Sequence, residues 1–353
     1  MSFTPFNAPL LAGVLGDLEV AASFSVKADL AEMIRFEIAL AKAEFEAGVI
    51  PEEAASVIRE SLGDFEPDVR ALAAAAETDG MSVPNLIAQM REKIGEPHAG
   101  HLHFGSTSQD VIDTSLILRL KTVDRILMDR LTKILARIET LETDFGEKAF
   151  TARTRMQDAL TVTVADRLRI WKAPLLAARA RHGDLTERLY RLQFAGADGT
   201  LHKLGEKAVE VRARLAANLD LNDPGGSWHT ERSSLVDYVN VLSALSAGLG
   251  KIGQDFALMA QNERDELAFD GGGKSSAMAH KQNPVRAELL ITLHRFMATL
   301  AGGMHQSQVH EQERSGAMWA LEWMLIPQAC VACGASLRQT ERLLASITRL
   351  GPA

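Results

Sequence analysis

The sequence predicts an all-α protein built as a bundle of long helices. Two observations carry that prediction. Apolar residues recur in steps of three and four over segments of roughly 30 residues. Aromatic residues make up only 5% of the chain, while Ala, Leu, Arg and Glu dominate many segments. A length of 353 residues suits two or three lobes and a core that needs no disulfide or metal staple. Hydrophobic residues at 46% and charged residues at 24% are globular values, which excludes disorder along the whole chain.

The first hundred residues read as short helices over 29–47, 51–62, 68–77 and 83–93, interrupted by Gly and Pro. They define a small N-terminal helical domain, 1–104. The remainder, 105–353, reads as a long-helix bundle domain. Its first helix spans 110–144, with the stripe Ile117, Leu120, Val123, Leu127, Leu131, Ile134, Ile138 and Leu141. A second spans 164–192 and contains Pro174, which should kink it. The most regular, 233–262, carries Leu235, Val239, Leu242, Leu245, Leu249, Ile252, Phe256 and Met259. Two more follow at 284–304 and 317–348. Helices of this length need partners along their whole extent, and some of those partners are expected from other subunits.

Charge and cysteine usage narrow the function. Lys plus Arg is 38 and Asp plus Glu is 46, a net charge of −8, so no broad basic footprint for nucleic acid is present. No continuous apolar run of the length of a bilayer span is evident, and MSFTPFNAPL lacks the layout of a secretion signal, so a cytoplasmic protein is expected. Cys330 and Cys333 read as buried thiols on one helix face, because one pair supplies two ligands and not four.

Three polar interruptions stand out. The first, 95–114, holds His98, His101 and His103, then Thr107 and Ser108. Ser106 with Gln109 fits a capping box that opens the first long helix. The free N–H groups at such a start attract anions. The second, 269–288, holds three consecutive glycines, Lys274, Ser275, Ser276 and Lys281, then Asn283 as N-cap and Pro284 as first helical residue. Lysine and a helix start can converge there on one anion. It is not a phosphate loop, because the G-x-x-x-x-G-K-[ST] spacing fails. The third, 222–234, holds Trp228, His229 and Arg232.

These segments resemble the fumarase/aspartase superfamily. Gly273 to Pro284 reads G-K-S-S-A-M-A-H-K-Q-N-P against the signature G-S-S-x-M-P-x-K-x-N-P. HFGSTSQDVIDT resembles the superfamily's first conserved region, and ARTRMQDAL, 152–160, resembles its second. Within the superfamily, FEIALAKAEFEAGVIP, LQFAGADGTLHKLG and SWHTER are similar to the 3-carboxy-cis,cis-muconate cycloisomerases, with adenylosuccinate lyase a near relative. The resemblance covers nearly the whole chain.

The resemblance implies an all-α homotetramer whose active sites lie where segments of three subunits meet. It implies conversion of 3-carboxy-cis,cis-muconate, a small tricarboxylate, to 4-carboxymuconolactone in aromatic degradation, with no metal, cofactor, nucleic acid or membrane. The competing readings are an adenylosuccinate lyase-like C–N or C–O lyase and a non-catalytic helical scaffold. The family's C-terminal helical lobe is expected to be largely absent, since the sequence stops at Ala353. Ser275, Lys281 and His103 carry over as catalytic residues, with Ser275 as general acid. Thr107, Ser108, Arg153, Thr154, Arg155, Gln157, Arg232, Asn283 and Glu288 carry over as substrate-binding residues. The chain departs from the pattern at Lys274, Ala279 and Gln282, and at Arg155, where many members have His. Arg cannot exchange a proton near neutral pH, so Arg155 is expected to bind carboxylate and to pair with Glu288.

Overall fold

The computed structural model describes residues 4–278 and 281–352. Ala279, a departure from the signature, and His280 therefore lie outside the described residues. Helices dominate: α1 (Ala12–Leu15), α2 (Leu18–Ala22), α3 (Val26–Glu46), α4 (Glu52–Leu62), α5 (Val69–Asp79) and α6 (Val83–Ile94) precede the bundle. The bundle consists of α7 (Ser108–Phe145), α8 (Val164–Leu189), α10 (Ser233–Met259), α11 (Val285–Gln306) and α12 (Ala317–Ala345), with the shorter α9 (Ala208–Leu219) packed on α3. All five long helices fall where the apolar stripes put them, and α8 runs from Val164 to Leu189 through Pro174.

The stripes form one core. Every residue of the α7 and α10 stripes is buried, and a single hydrophobic cluster runs from Val20 to Leu350, joining the N-terminal helices to the bundle. Close approach of α10 and α11 depends on Gly253. A Cβ there would lie 2.6 Å from the Ala287 carbonyl oxygen.

The structure corrects the sequence reading at several points. Residues 149–163 carry a pair of strands that the all-helical reading does not include. They form an antiparallel hairpin of β1 (Ala149–Thr154) and β2 (Gln157–Thr163), and β3 (Leu267–Phe269) pairs with β4 (Ile347–Leu350). Thr151, Thr154, Thr161, Val162 and Thr163 are the β-branched residues that favour this geometry. The capping box that opens α7 uses Thr107 and Asp110, not Ser106 and Gln109, and the Thr107 N–H donates to Asp110 Oδ2 at 3.1 Å. α12 is long and apolar enough to cross a membrane by length and composition, contrary to the sequence reading. Most of that stretch is buried inside the bundle, where its apolar face is matched by protein. Cys330 and Cys333 are both fully buried on α12, as expected, and burial pushes the Cys333 thiol up to about 12.

Candidate active site

The residues that carry chemistry collect at the two ends of α7. At its C-terminal end, Arg153 on β1 reaches Glu266 just after α10, at 2.5 Å, and Gly351 after β4 approaches the Lys148 side chain. This places the hairpin, residues 270–278 and 281–284 of the signature loop, and the start of α11 at one end of the bundle. Gly271, Gly272 and Gly273 take left-handed φ of 74°, 78° and 71°, which glycine adopts without a Cβ penalty. Gly273 has a second constraint. A Cβ there would lie 2.0 Å from the Asn283 carbonyl oxygen.

The loop is closed by its own hydrogen bonds. The Asn283 backbone N–H and Nδ2 both donate to the Gly273 carbonyl at 2.9 Å, and Lys274 bridges Gln282. The expectation that Asn283 caps α11 with its side chain is thus corrected. Its amide closes the loop, Pro284 takes the N-cap position, and α11 starts at Val285.

Within the closed loop the half-buried Ser275 Oγ accepts the N–H of Ala277 at 3.3 Å and of Met278 at 3.1 Å. Two backbone donors on one hydroxyl oxygen stabilise negative charge on it, which is what a serine that gives up a proton requires. Lys281 is exposed beside the loop, held by its backbone N–H on the Met278 carbonyl at 3.1 Å. Lysine ammonium and the positive end of α11 lie on the same short segment.

Arg155 and Met156 make the two-residue hairpin turn with φ of 50° and 67°. Such turns favour Asn-Gly, and holding two other residues there costs about 1–2 kcal/mol each. Strain of this kind clusters at functional sites. Thr154, Arg155 and Gln157 are all exposed at this tip. Among the described residues no ion pair joins Arg155 to Glu288 within one chain, so the expected pair is absent there, because the tip stands out from the bundle. Arg153 differs from expectation too. Glu266 and Asp158, the latter at 2.9 Å, occupy its guanidinium, so it anchors the hairpin.

The other end of α7 carries His103, Thr107 and Ser108. His103 has φ of 63° and its Nδ1 lies 2.6 Å from Glu37 Oε1 on α3. Burial opposes the imidazolium, but the Glu37 carboxylate together with Asp110 outweighs it and raises the His103 pKa. Thr107 and Ser108 are half-buried at the positive end of the longest helix. Asp110 anchors this end, accepting from the N–H groups of Ala195 and Gly196 at 3.1 and 2.9 Å and pairing with His229 at 2.9 Å.

Arg232 is not a substrate cation. It is fully buried and bound to Asp113 at 2.7 and 3.1 Å and to Glu322 at 2.9 and 2.5 Å, with its guanidinium 4.8 Å from the Trp228 ring centre. Four bonds to two carboxylates leave it no free edge for a ligand. Sequence reading missed Glu37, Asp110, Asp113 and Glu322. The available signal was an acidic residue on an apolar stripe: Glu37 and Glu44 share the buried face of α3 with Met33, Phe36 and Leu40.

The two clusters cannot meet in one chain. α7 has 38 residues, about 57 Å at 1.5 Å per residue, and its ends carry the two clusters. Among the described residues no group of three or more His, Cys, Asp or Glu is placed to hold a metal ion.

The lyase family profile matches residues 19–297. The 3-carboxy-cis,cis-muconate cycloisomerase of Pseudomonas aeruginosa is 36% identical over 333 residues, 92% of this chain and 72% of the relative. The N-acetyl-S-(2-succino)cysteine lyase of Enterococcus italicus is 30% identical over 88% of this chain and 69% of the relative. The crystal structure of the 3-carboxy-cis,cis-muconate lactonizing enzyme from Pseudomonas putida superposes with a TM-score of 0.89 at 33% identity, covering 96% of this chain and 77% of that one.

Proposed function

This chain belongs to the lyase family, and from that premise we propose that it is a 3-carboxy-cis,cis-muconate cycloisomerase. The observation that carries the reading beyond family membership is Ser275, whose oxygen is held by two backbone donors in the loop that also carries Lys281.

In the reaction one substrate carboxylate oxygen adds to a carbon of the conjugated diene and forms the lactone C–O bond. The displaced electron pair moves to the carbon beside another carboxylate, giving an enediolate. That carbon then takes a proton, and the product, 4-carboxymuconolactone, is an isomer of the substrate. The Ser275 hydroxyl supplies the proton, and its alkoxide is held by the Ala277 and Met278 N–H groups until solvent reprotonates it. Lys281 and the start of α11 offer positive charge where the enediolate develops. His103, Thr107 and Ser108 bind substrate carboxylates, joined by Arg155 from the hairpin tip.

One complete site then takes His103, Thr107 and Ser108 from one subunit and the hairpin and loop from others. A homotetramer supplies this, and the separation of the two clusters along α7 supports it. The test is turnover of 3-carboxy-cis,cis-muconate by purified protein, beside N-acetyl-S-(2-succino)cysteine and adenylosuccinate. Preference for either of the last two overturns the assignment.

A further inference from the structure

Two carboxyl groups are buried seven residues apart on one face of α3, and the substrate chemistry above uses neither. Glu37 is 1% exposed and Glu44 is 0% exposed. Glu37 Oε1 lies on His103 Nδ1 at 2.6 Å, while its Oε2 and both Glu44 oxygens have no hydrogen-bond partner. Unpaired buried carboxylates are costly, so such a pair persists where one proton and one counter-cation are available. His103 is the cation. The other charged groups acting on it are Asp110 on α7, which favours its charge, and Arg91 on α6, which opposes it.

The fixed contact decides which nitrogen is free. With Nδ1 taken by Glu37, Nε2 is the nitrogen left for a ligand. The left-handed backbone at His103, φ 63°, is a costly conformation for a non-glycine residue, and it accompanies the ring's contact with α3.

We propose that Glu37 is a positioning residue of the site, which holds His103 by Nδ1 so that Nε2–H is presented to a substrate carboxylate. Glu44, kept protonated by its burial on the same face of α3, adds no second anion to that face. The proposal rests on His103 as a carboxylate binder, so the experiment reads the imidazole without substrate.

His103 carbethoxylation by diethyl pyrocarbonate is followed against pH by peptide mass spectrometry, since only the neutral ring reacts. The wild-type midpoint is expected above about 6.5, the ordinary imidazole value. Glu37→Gln keeps the shape and removes the charge, and is expected to lower the midpoint by about one pH unit or more. Glu37→Asp, which keeps the charge at a shorter reach, is expected to fall between them. A wild-type midpoint at or below the ordinary value, or the same midpoint in wild type and Glu37→Gln, overturns the proposal. Should Glu37→Gln not fold, the wild-type and Glu37→Asp midpoints decide it. In parallel, the alkaline limb of kcat/KM for 3-carboxy-cis,cis-muconate should move to lower pH in Glu37→Gln by the same amount. Absence of any wild-type turnover beside a shifted midpoint would sink the cycloisomerase reading and leave the Glu37 proposal standing.

Discussion

The Ser275 hydroxyl oxygen accepts the backbone N–H of Met278 at 3.1 Å, inside a loop that Asn283 closes onto Gly273. This contact links the loop's shape to its chemistry, because the turn that follows the serine also supplies donors for its charge. Positioned proton transfer contributes about 10² to 10⁴ in rate. Ser275→Ala should therefore lower kcat by about that range while circular dichroism and particle size stay as in wild type. Ser276→Ala should cost much less, and Lys281→Ala should lower kcat and raise KM together. Steady-state kinetics on the three variants checks this, and a near-normal kcat in Ser275→Ala removes the serine from the mechanism.

Arg232 offers a contrasting case. Removing it leaves Asp113 and Glu322 buried without their cation, and breaking a buried pair this way costs about 3–5 kcal/mol. Arg232→Met should unfold at clearly lower denaturant concentration, or fail to accumulate as soluble protein. A variant of normal stability with a raised KM would restore Arg232 as a substrate ligand.

Glu44 predicts a pH dependence of stability. Burial, and then the nearby Glu37, lift its carboxyl from 4.5 to about 9 in the folded chain. The unfolded chain ionises it near its ordinary value. Its contribution is thus fully present below about 4.3 and is lost as pH climbs toward the folded value. Glu44→Gln removes this slope. Thermal melts should match wild type near pH 4 and lie above it near pH 8, whereas parallel curves would show that Glu44 is not protonated when buried.

Much of the fold was legible because helix periodicity survives burial. The α7 and α10 stripes name core residues one by one. The hairpin was not legible, because its strands are short, β2 is mostly exposed, and neither has an apolar alternation to read. Ser275, Lys281 and His103 stood out as polar residues in loops between long helices. Arg232 looked like a ligand because one sequence does not reveal that Asp113 and Glu322, 119 and 90 residues away, fold onto it. Glu37 was hidden among the apolar residues that α3 turns to the core.

Sharing of the site between subunits predicts complementation. His103→Asn and Ser275→Ala should each be nearly inactive alone. Unfolded together at equal amounts and refolded, they should recover about a quarter of wild-type activity, since random assembly leaves that fraction of sites intact when the residues come from different chains. A site contained in one chain would recover none.

The most direct measurement is the decay of the conjugated-diene absorbance of 3-carboxy-cis,cis-muconate with purified protein, with and without excess EDTA, and with product identified by mass spectrometry. The account predicts loss of the diene at one rate in both conditions, a product of unchanged mass that is the lactone, and a fall of about 10² or more in Ser275→Ala. No turnover, or turnover that EDTA abolishes and a divalent ion restores, would contradict it.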